Sequence, residues 1–141
     1  MDKIAESGSE METTGNYLGL NLVRAPKKNH DAMERIGKLF VQWFKNHGVR
    51  TEIYHLNTAT SEQKENVPEG VKSIAKTLSI KDDEEIWVML QFYGDWDHAE
   101  EVTAKMMTMQ DESMGQLMKE FDGLVTQSSS LIMGGFSRLK V

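Results

Sequence analysis

Residues 85–93 read EIWVMLQFY, and this stretch decides the fold. Its β-branched and aromatic side chains are typical of a β-strand. A strand buried on one face alternates apolar and polar residues. Here the even-numbered residues are all apolar, and Trp87, Met89 and Tyr93 add large apolar groups on the other side. We therefore expect a strand that is covered on both faces of its sheet.

Three further segments of the chain are typical of strands. Residues 17–24 place leucines at every second position and are followed by Pro26, which ends the pattern. We also expect strands over residues 49–56 and about 129–140. The last of these has three consecutive apolar residues at 131–133, so it again presents apolar groups on both faces.

Helical patterns separate these strands. The first helix has Asn29 as its expected N-cap, repeats apolar residues every three or four positions, and ends at Gly48. A second helix follows Asp95 as N-cap, and a shorter one runs from Ser113 to Gly123. The apolar stripe of the second helix consists of Ala99, Val102, Met106 and Met109.

The order of elements predicts the fold class. It reads strand–helix–strand–strand–helix–strand, which is the order of a ferredoxin-like, split βαβ fold with a four-stranded antiparallel sheet and helices on one face. We predict a disordered tail over residues 1–15 and a single α+β domain over residues 16–141. An insertion of about residues 58–84 carries a short helix near Val71–Leu78.

Composition excludes several function classes. The 141 residues include 16 Lys and Arg against 22 Asp and Glu, a net charge of −6, so we expect no nucleic-acid partner. The absence of cysteine excludes disulfides and thiolate chemistry and fits a reducing compartment, so a cytoplasmic location is expected. No apolar run approaches about 18 residues, so no membrane partner is expected.

A sheet with apolar groups on both faces needs two covers. Helices on one side cover one face only, and exposing several large side chains on the other would forgo several kcal/mol of burial, at about 25 cal/mol per Å². A second copy of the sheet, packed face to face in a homodimer, is the simplest cover. The alternative is that residues around 71–80 of the insertion fold back over the sheet.

Short motifs spread over nearly all of residues 16–141 carry a resemblance. They are Pro26–Lys27–Lys28–Asn29, Val67–Pro68–Glu69–Gly70, Lys81–Asp82, Tyr93 with Asp95 and His98, Lys105–Met106–Met107 and Gly134–Gly135–Phe136. In these motifs the chain resembles the YbaA-like domain-of-unknown-function family, within the dimeric α+β barrel superfamily. The resemblance implies a barrel formed by two copies of the chain, and it implies no particular chemistry.

The ligand-binding prediction depends on which face packs on the helices. If the leucines of the first strand and the even-numbered residues of 85–93 do so, the opposite side chains line the space between the two sheets of the dimer. We therefore predict Asn21, Trp87, Gln91 and Tyr93 as ligand-binding residues. Buried amides and hydroxyls need hydrogen-bond partners, which a ligand, ordered water or one another could supply.

Histidines are the remaining candidates for chemistry. His98 lies in the first turn of the helix that follows Asp95, where the helix dipole favours its neutral form, so it is the candidate catalytic base. The alternative is a plain capping interaction between these two residues. His55 is a further candidate ligand-binding residue, whereas His30 and His47 are expected only at helix ends. The histidine spacing is not that of a metal site, so we predict no metal and no cofactor.

Two function classes follow from these expectations. The first is a homodimeric barrel that binds a small, mostly apolar molecule, with or without cofactor-independent oxygenase or isomerase chemistry. The second is a non-catalytic module for protein interaction, in which the barrel is packed solid. An enclosed pocket of about 300 Å³ or more that reaches His98 favours the first class, and a barrel packed solid by Trp87, Met89 and Tyr93 favours the second.

Overall fold

The computed structural model describes residues 15–56, 68–108, 112–126 and 131–140. The predicted tail, apart from Gly15, and the first part of the insertion lie outside the described residues. The elements are β1 (Tyr17–Pro26), a 3₁₀ turn (Lys27–Asn29), α1 (His30–Lys45), β2 (Arg50–His55), α2 (Ile74–Thr77), β3 (Glu84–Tyr93), α3 (Trp96–Met107), α4 (Glu112–Leu124) and β4 (Ile132–Ser137).

The four strands form one antiparallel sheet in the order β2-β3-β1-β4. The central pair runs from Tyr17↔Tyr93 to Pro26↔Glu84, and β4 pairs with β1 on its other side. With helices packed on the sheet, this is a ferredoxin-like α+β fold, and the predicted fold class is confirmed. Among the described residues, no helix combines the length and apolar character needed to span a bilayer.

The ends of the helices follow local sequence signals. Gly48 follows α1 at a φ of +75°, a left-handed conformation that glycine adopts without a Cβ clash. The side chain of Asp95 accepts a hydrogen bond from the backbone N–H of His98 at 2.8 Å, so the predicted cap of α3 is confirmed. Asn29 precedes α1, but its side chain donates to the carbonyl of Leu124 at 2.8 Å instead of capping the helix.

The side of the sheet that contacts the helices is the reverse of the one expected. We call it the helix face, and its residues are the odd-numbered ones of β1, β2, β3 and β4. Val23 and Trp87 pack with Met33 of α1, and Tyr93 clusters with Phe40 of α1. The expectation that Trp87, Gln91, Tyr93 and Asn21 face a second sheet is therefore wrong, because these side chains lie beneath the subunit's own helices.

Alternation alone did not distinguish the two faces, because both carry large apolar side chains. A shift of one residue exchanges every side chain between the faces of a strand. The more uniformly aliphatic side of the sheet, with the leucines of β1, was expected against the helices. The helix face instead combines bulky aromatic residues with small residues such as Gly19 and Ala25. A Cβ on Gly19 would lie 3.2 Å from the Tyr93 ring, so glycine here leaves room for that ring.

The opposite side of the sheet, which we call the outer face, is largely uncovered by the part of the chain that the structure describes. Six of its large apolar side chains are half-buried, and three others are 44–53% exposed. The half-buried residues are Leu18, Leu20, Leu22, Val88, Leu90 and Phe92, and the exposed ones are Tyr54, Ile132 and Phe136.

Part of the insertion reaches one end of the outer face. The Arg24 guanidinium donates to the carbonyl of Leu78 at 3.0 Å, and it lies 3.7 Å from the carboxylate of Glu84. Ile86, which pairs with Arg24 in the sheet, is only 1% exposed. The alternative cover, a fold-back of the insertion, therefore accounts for this end, and the centre of the outer face has no such cover among the described residues.

Candidate functional site

A cavity of about 830 Å³ lies between the helix face and helices α1, α3 and α4. Most of its lining is apolar and comes from all three helices and from the sheet. The buried or half-buried apolar lining includes Val23, Met33, Ile36, Phe40, Phe44, Ile53, Trp87, Met89, Ala99, Met106, Met118 and Phe121. Pockets that bind small molecules have volumes of about 300–1,000 Å³ and predominantly apolar walls, so this cavity has the dimensions of a binding site.

The exposed residues of the lining locate the mouth of the cavity. All of them belong to α3 or to the segment around β4. They are Trp96, Glu100, Thr103, Ala104, Met107, Leu131, Met133 and Gly135. A ligand would therefore enter between α3 and β4.

One group of polar side chains lies within this apolar lining. The side-chain carbonyl of Gln91 accepts hydrogen bonds from Asn21 Nδ2 and from the Tyr93 hydroxyl, each at 3.1 Å. The Gln91 amide in turn points to the sulfur of Met89 at 3.4 Å. Gln91 is 7% exposed and Tyr93 4%, so these hydrogen bonds fix the side chains before any ligand binds.

Burial also sets the charge state of the tyrosine. Desolvation raises the pKa of Tyr93 to about 12, opposed in part by a hydrogen bond with Thr103. The phenol is therefore neutral at physiological pH and serves as a hydrogen-bonding group. A phenolate base at this position is excluded at neutral pH.

Trp87 supplies another polar group at the cavity wall. Its indole is 7% exposed, and within the described part of the chain its buried Nε1 has no hydrogen-bond partner. An unpaired buried donor is costly, and a bound ligand or a water molecule can satisfy it.

The predicted ligand-binding residues divide into two groups. Asn21, Trp87, Gln91 and Tyr93 all line the cavity, although on the helix face and not between two sheets. His55 does not line it, because its ring lies at the end of β2, where Nε2 is 2.9 Å from the Glu85 carboxylate.

The predicted base His98 also lies outside the cavity lining. Its Nδ1 accepts a hydrogen bond from the N–H of Gly94 at 3.0 Å, and its Nε2 lies 3.0 Å from the carbonyl of His47, to which it donates. Both ring nitrogens are thus bound to backbone groups, and neither is free to accept a proton from a substrate. The geometry assigns His98 to joining the start of α3 to the end of α1, together with its capping contact to Asp95.

Sequence reasoning missed the outer stripe of α3 that borders the mouth. Trp96, Glu100, Thr103 and Met107 recur at steps of four, three and four, beside the stripe that was identified. This second stripe at helical spacing is the sequence signal from which these four residues could have been predicted. Among the described lining residues, Glu100 is the charged one.

The fold and the cavity together define a ferredoxin-like α+β protein with a site between its sheet and its helices. In comparisons with known proteins, no family model matches the chain and no curated protein matches it. The resemblance to the YbaA-like family therefore stays a prediction.

Proposed function

We propose that this chain forms a homodimeric α+β barrel, and that each subunit binds a small, uncharged, mostly apolar molecule in the cavity between sheet and helices. The observation that carries the proposal is the cavity of about 830 Å³ with its fixed polar group of Asn21, Gln91 and Tyr93. The cavity lies beneath the subunit's own helices and its lining does not include His98, so it supports ligand binding by its size and apolar lining and leaves the space between two sheets untested.

The lining indicates which ligands fit. Its walls are rich in methionine and aromatic side chains, which adapt to apolar shapes. The carboxylate of Glu100 lies at the mouth, and the chain as a whole carries a charge of −6, so an anionic ligand would be repelled. A molecule with an apolar body and one or two hydrogen-bonding groups matches these features.

The outer face supports the dimer. Four strands about 4.8 Å apart and six residues of about 3.4 Å each give roughly 19 by 20 Å in projection. This projection of about 380 Å² is about half of the 800 Å² that each partner buries in a standard interface, so the dimer needs contacts beyond the sheet as well. Two charged residues of this face, Arg50 and Glu52, lie on the edge strand β2, so the centre is apolar and a rim is polar.

Ligand binding is tested with N-phenyl-1-naphthylamine, an uncharged apolar dye whose fluorescence rises in apolar surroundings. We expect saturable binding at one site per chain. A Met89→Trp variant, which enlarges a side chain in the middle of the lining, should weaken it at least about tenfold. Leu39→Trp, a similar enlargement on the exposed side of α1, is the matched control and should bind as the parent does. Absence of saturable binding by the parent, or equal binding by the Met89 variant, would overturn the cavity assignment.

The dimer is tested separately by sedimentation equilibrium at micromolar concentrations. Leu90→Glu places a charge in the centre of the outer face, where Leu90 pairs with Leu20, and should yield a folded monomer. Leu39→Glu is the control at a residue that is 44% exposed, and it should remain dimeric. A parent protein that sediments as a single subunit would refute the dimer and leave the dye result standing.

A further inference from the structure

Two histidines and a glutamate that are distant in the sequence meet at the end of β2, beside the start of α1. His30 Nδ1 lies 3.0 and 3.1 Å from the two carboxylate oxygens of Glu85, and His55 Nε2 lies 2.9 Å from one of them. One ligand atom from each of the three residues lies within 4.8 Å of the others. We call these residues the His30–His55–Glu85 cluster; they are not part of the cavity lining.

We propose that this cluster binds one divalent transition-metal ion of the Zn²⁺ type through His30 Nδ1, His55 Nε2 and the Glu85 carboxylate. This goes beyond the proposed function, because none of the three ligand residues lines the cavity. Ligand atoms about 2.1 Å from a shared ion, at angles of about 90–110°, lie about 3.0–3.4 Å from one another. The nitrogen–oxygen separations of the cluster, 2.9–3.1 Å, are within a few tenths of an ångström of this range. The two imidazole nitrogens lie within 4.8 Å of each other, so any excess over this range closes as the ion binds.

The surroundings of the cluster hold the ligands in place. His30 Nε2 lies 3.3 Å from a carboxylate oxygen of Glu34, the outer contact that fixes the tautomer of a metal-bound histidine. The Trp87 ring packs against both imidazoles, with centroids 5.2 and 5.0 Å away. The indole therefore restricts the orientation of both rings.

Exposure suits the entry of an ion. The Glu85 side chain is only 11% exposed, whereas His30 and His55 are 38% and 41% exposed. The ion can thus reach a carboxylate that is largely withdrawn from water. Upon binding, it replaces the protons through which the two histidines contact Glu85, and these protons pass to solvent.

The ligand set determines the class of metal. Two imidazoles and a carboxylate suit Zn²⁺, Co²⁺, Ni²⁺ or Fe²⁺, whereas Mg²⁺ and Ca²⁺ prefer oxygen ligands alone. Three protein ligands leave at least one coordination position for water or for a substrate atom.

The experiment uses the full chain without a polyhistidine tag, freed of metal with a chelator. Zn²⁺ is titrated in competition with a chromophoric chelator. We expect one ion per chain with a micromolar or lower Kd that excess Mg²⁺ does not change. His55→Ala and Glu85→Gln should each weaken binding at least about 100-fold, and Glu34→Gln by about tenfold or more. His47→Gln removes a histidine beyond the other end of α1 and should bind as the parent does.

A second measurement covers the case in which a variant fails to fold. Two-dimensional ¹⁵N spectra of the parent follow the imidazole nitrogens during Zn²⁺ addition. We expect the signals of His30 and His55 to shift with one equivalent, and those of His47 and His98 to stay in place. The proposal is overturned if the parent binds no Zn²⁺ more tightly than about 100 μM, or if folded His55 and Glu85 variants retain its affinity. It is also overturned if Zn²⁺ binds without shifting the two imidazoles.

Discussion

Replacing Gln91 with leucine tests whether the polar group in the cavity is a connected unit. The Gln91 carbonyl accepts from both Asn21 and Tyr93, and leucine of similar size accepts from neither. Each lost hydrogen bond costs about 1 kcal/mol net. We therefore expect Gln91→Leu to lower the free energy of unfolding by about 2 kcal/mol.

The measurement is urea unfolding at pH 7, followed by tryptophan fluorescence and far-UV circular dichroism at one fixed protein concentration. Gln42→Leu is the matched control. The amide of Gln42 donates to Asn46 at 3.0 Å on the exposed surface of the protein, so its loss should cost less than about 0.5 kcal/mol.

A double variant gives the sharpest test. In Gln91→Leu with Tyr93→Phe, the hydroxyl that lost its acceptor is itself removed. The hydrogen bond between Gln91 and Tyr93 is lost in each single variant and is therefore counted twice when their losses are added. The summed losses of unfolding free energy in the two single variants should exceed the loss in the double variant by about 1 kcal/mol. If the two losses add within about 0.3 kcal/mol, or if Gln91→Leu costs no more than Gln42→Leu, these side chains are not coupled and the reasoning fails.

Two further predictions concern the cap of α3 and the buried tyrosine. Asp95→Ala removes the side chain that accepts from the N–H of His98 and should cost about 1 kcal/mol of unfolding free energy in urea. Asp95→Asn, which caps equally well, should cost little; an equal loss in both variants would contradict the capping role. For Tyr93, the pKa of about 12 in the folded protein exceeds the usual value of 10.0, so above pH 10 the unfolded chain loses its proton first. Stability should fall by up to about 3 kcal/mol between pH 10 and 12 and be independent of this group below pH 10. Denaturation of Tyr93→Phe over the same range should lack this slope, and identical slopes in both proteins would contradict the prediction.

Much of the fold could be predicted because its signals are local. The strand of residues 85–93, the cap at Asp95 and the glycine at position 48 each act within a few residues, and the structure has them where they were expected. The order of elements then leaves few ways to arrange a sheet, so the ferredoxin-like topology follows.

The assignment of faces could not be predicted, because it depends on packing between elements distant in sequence. Leu18 and Tyr17 lie on opposite sides of β1, and the sequence pattern allows either of them to face the helices. Only the packing of α1 and α4 on the sheet decides between them. Asn21 and Gln91 could be predicted as binding residues because a buried amide needs hydrogen-bond partners whichever side of the sheet it lies on. The prediction placed these residues between two sheets and not beneath the helices, because the sequence did not show which side of the sheet the helices cover.

The histidines show a second limit of sequence reasoning. The His30–His55–Glu85 cluster joins residues 25 and 30 positions apart (55 − 30 and 85 − 55), and its spacing resembles no local motif. For His98 the predicted role was that of a catalytic base, and the structure shows the capping contact that was weighed as the alternative. The carbonyl of His47 that occupies its other nitrogen comes from the end of a different helix, which the sequence pattern does not reveal.

The sheet order has a consequence for how the chain is made. β1 ends at Pro26, yet the first strand that pairs with it begins at Glu84, 58 residues later (84 − 26). At about 5–20 residues per second, the ribosome takes about 3–12 s to supply that partner. During this time β1 has no neighbouring strand to pair with, and its backbone N–H and C=O groups form hydrogen bonds with water instead. A sheet whose first-made strand lies between two later ones cannot assemble strand by strand in the order of synthesis, so we expect the sheet to form only after β3 is available.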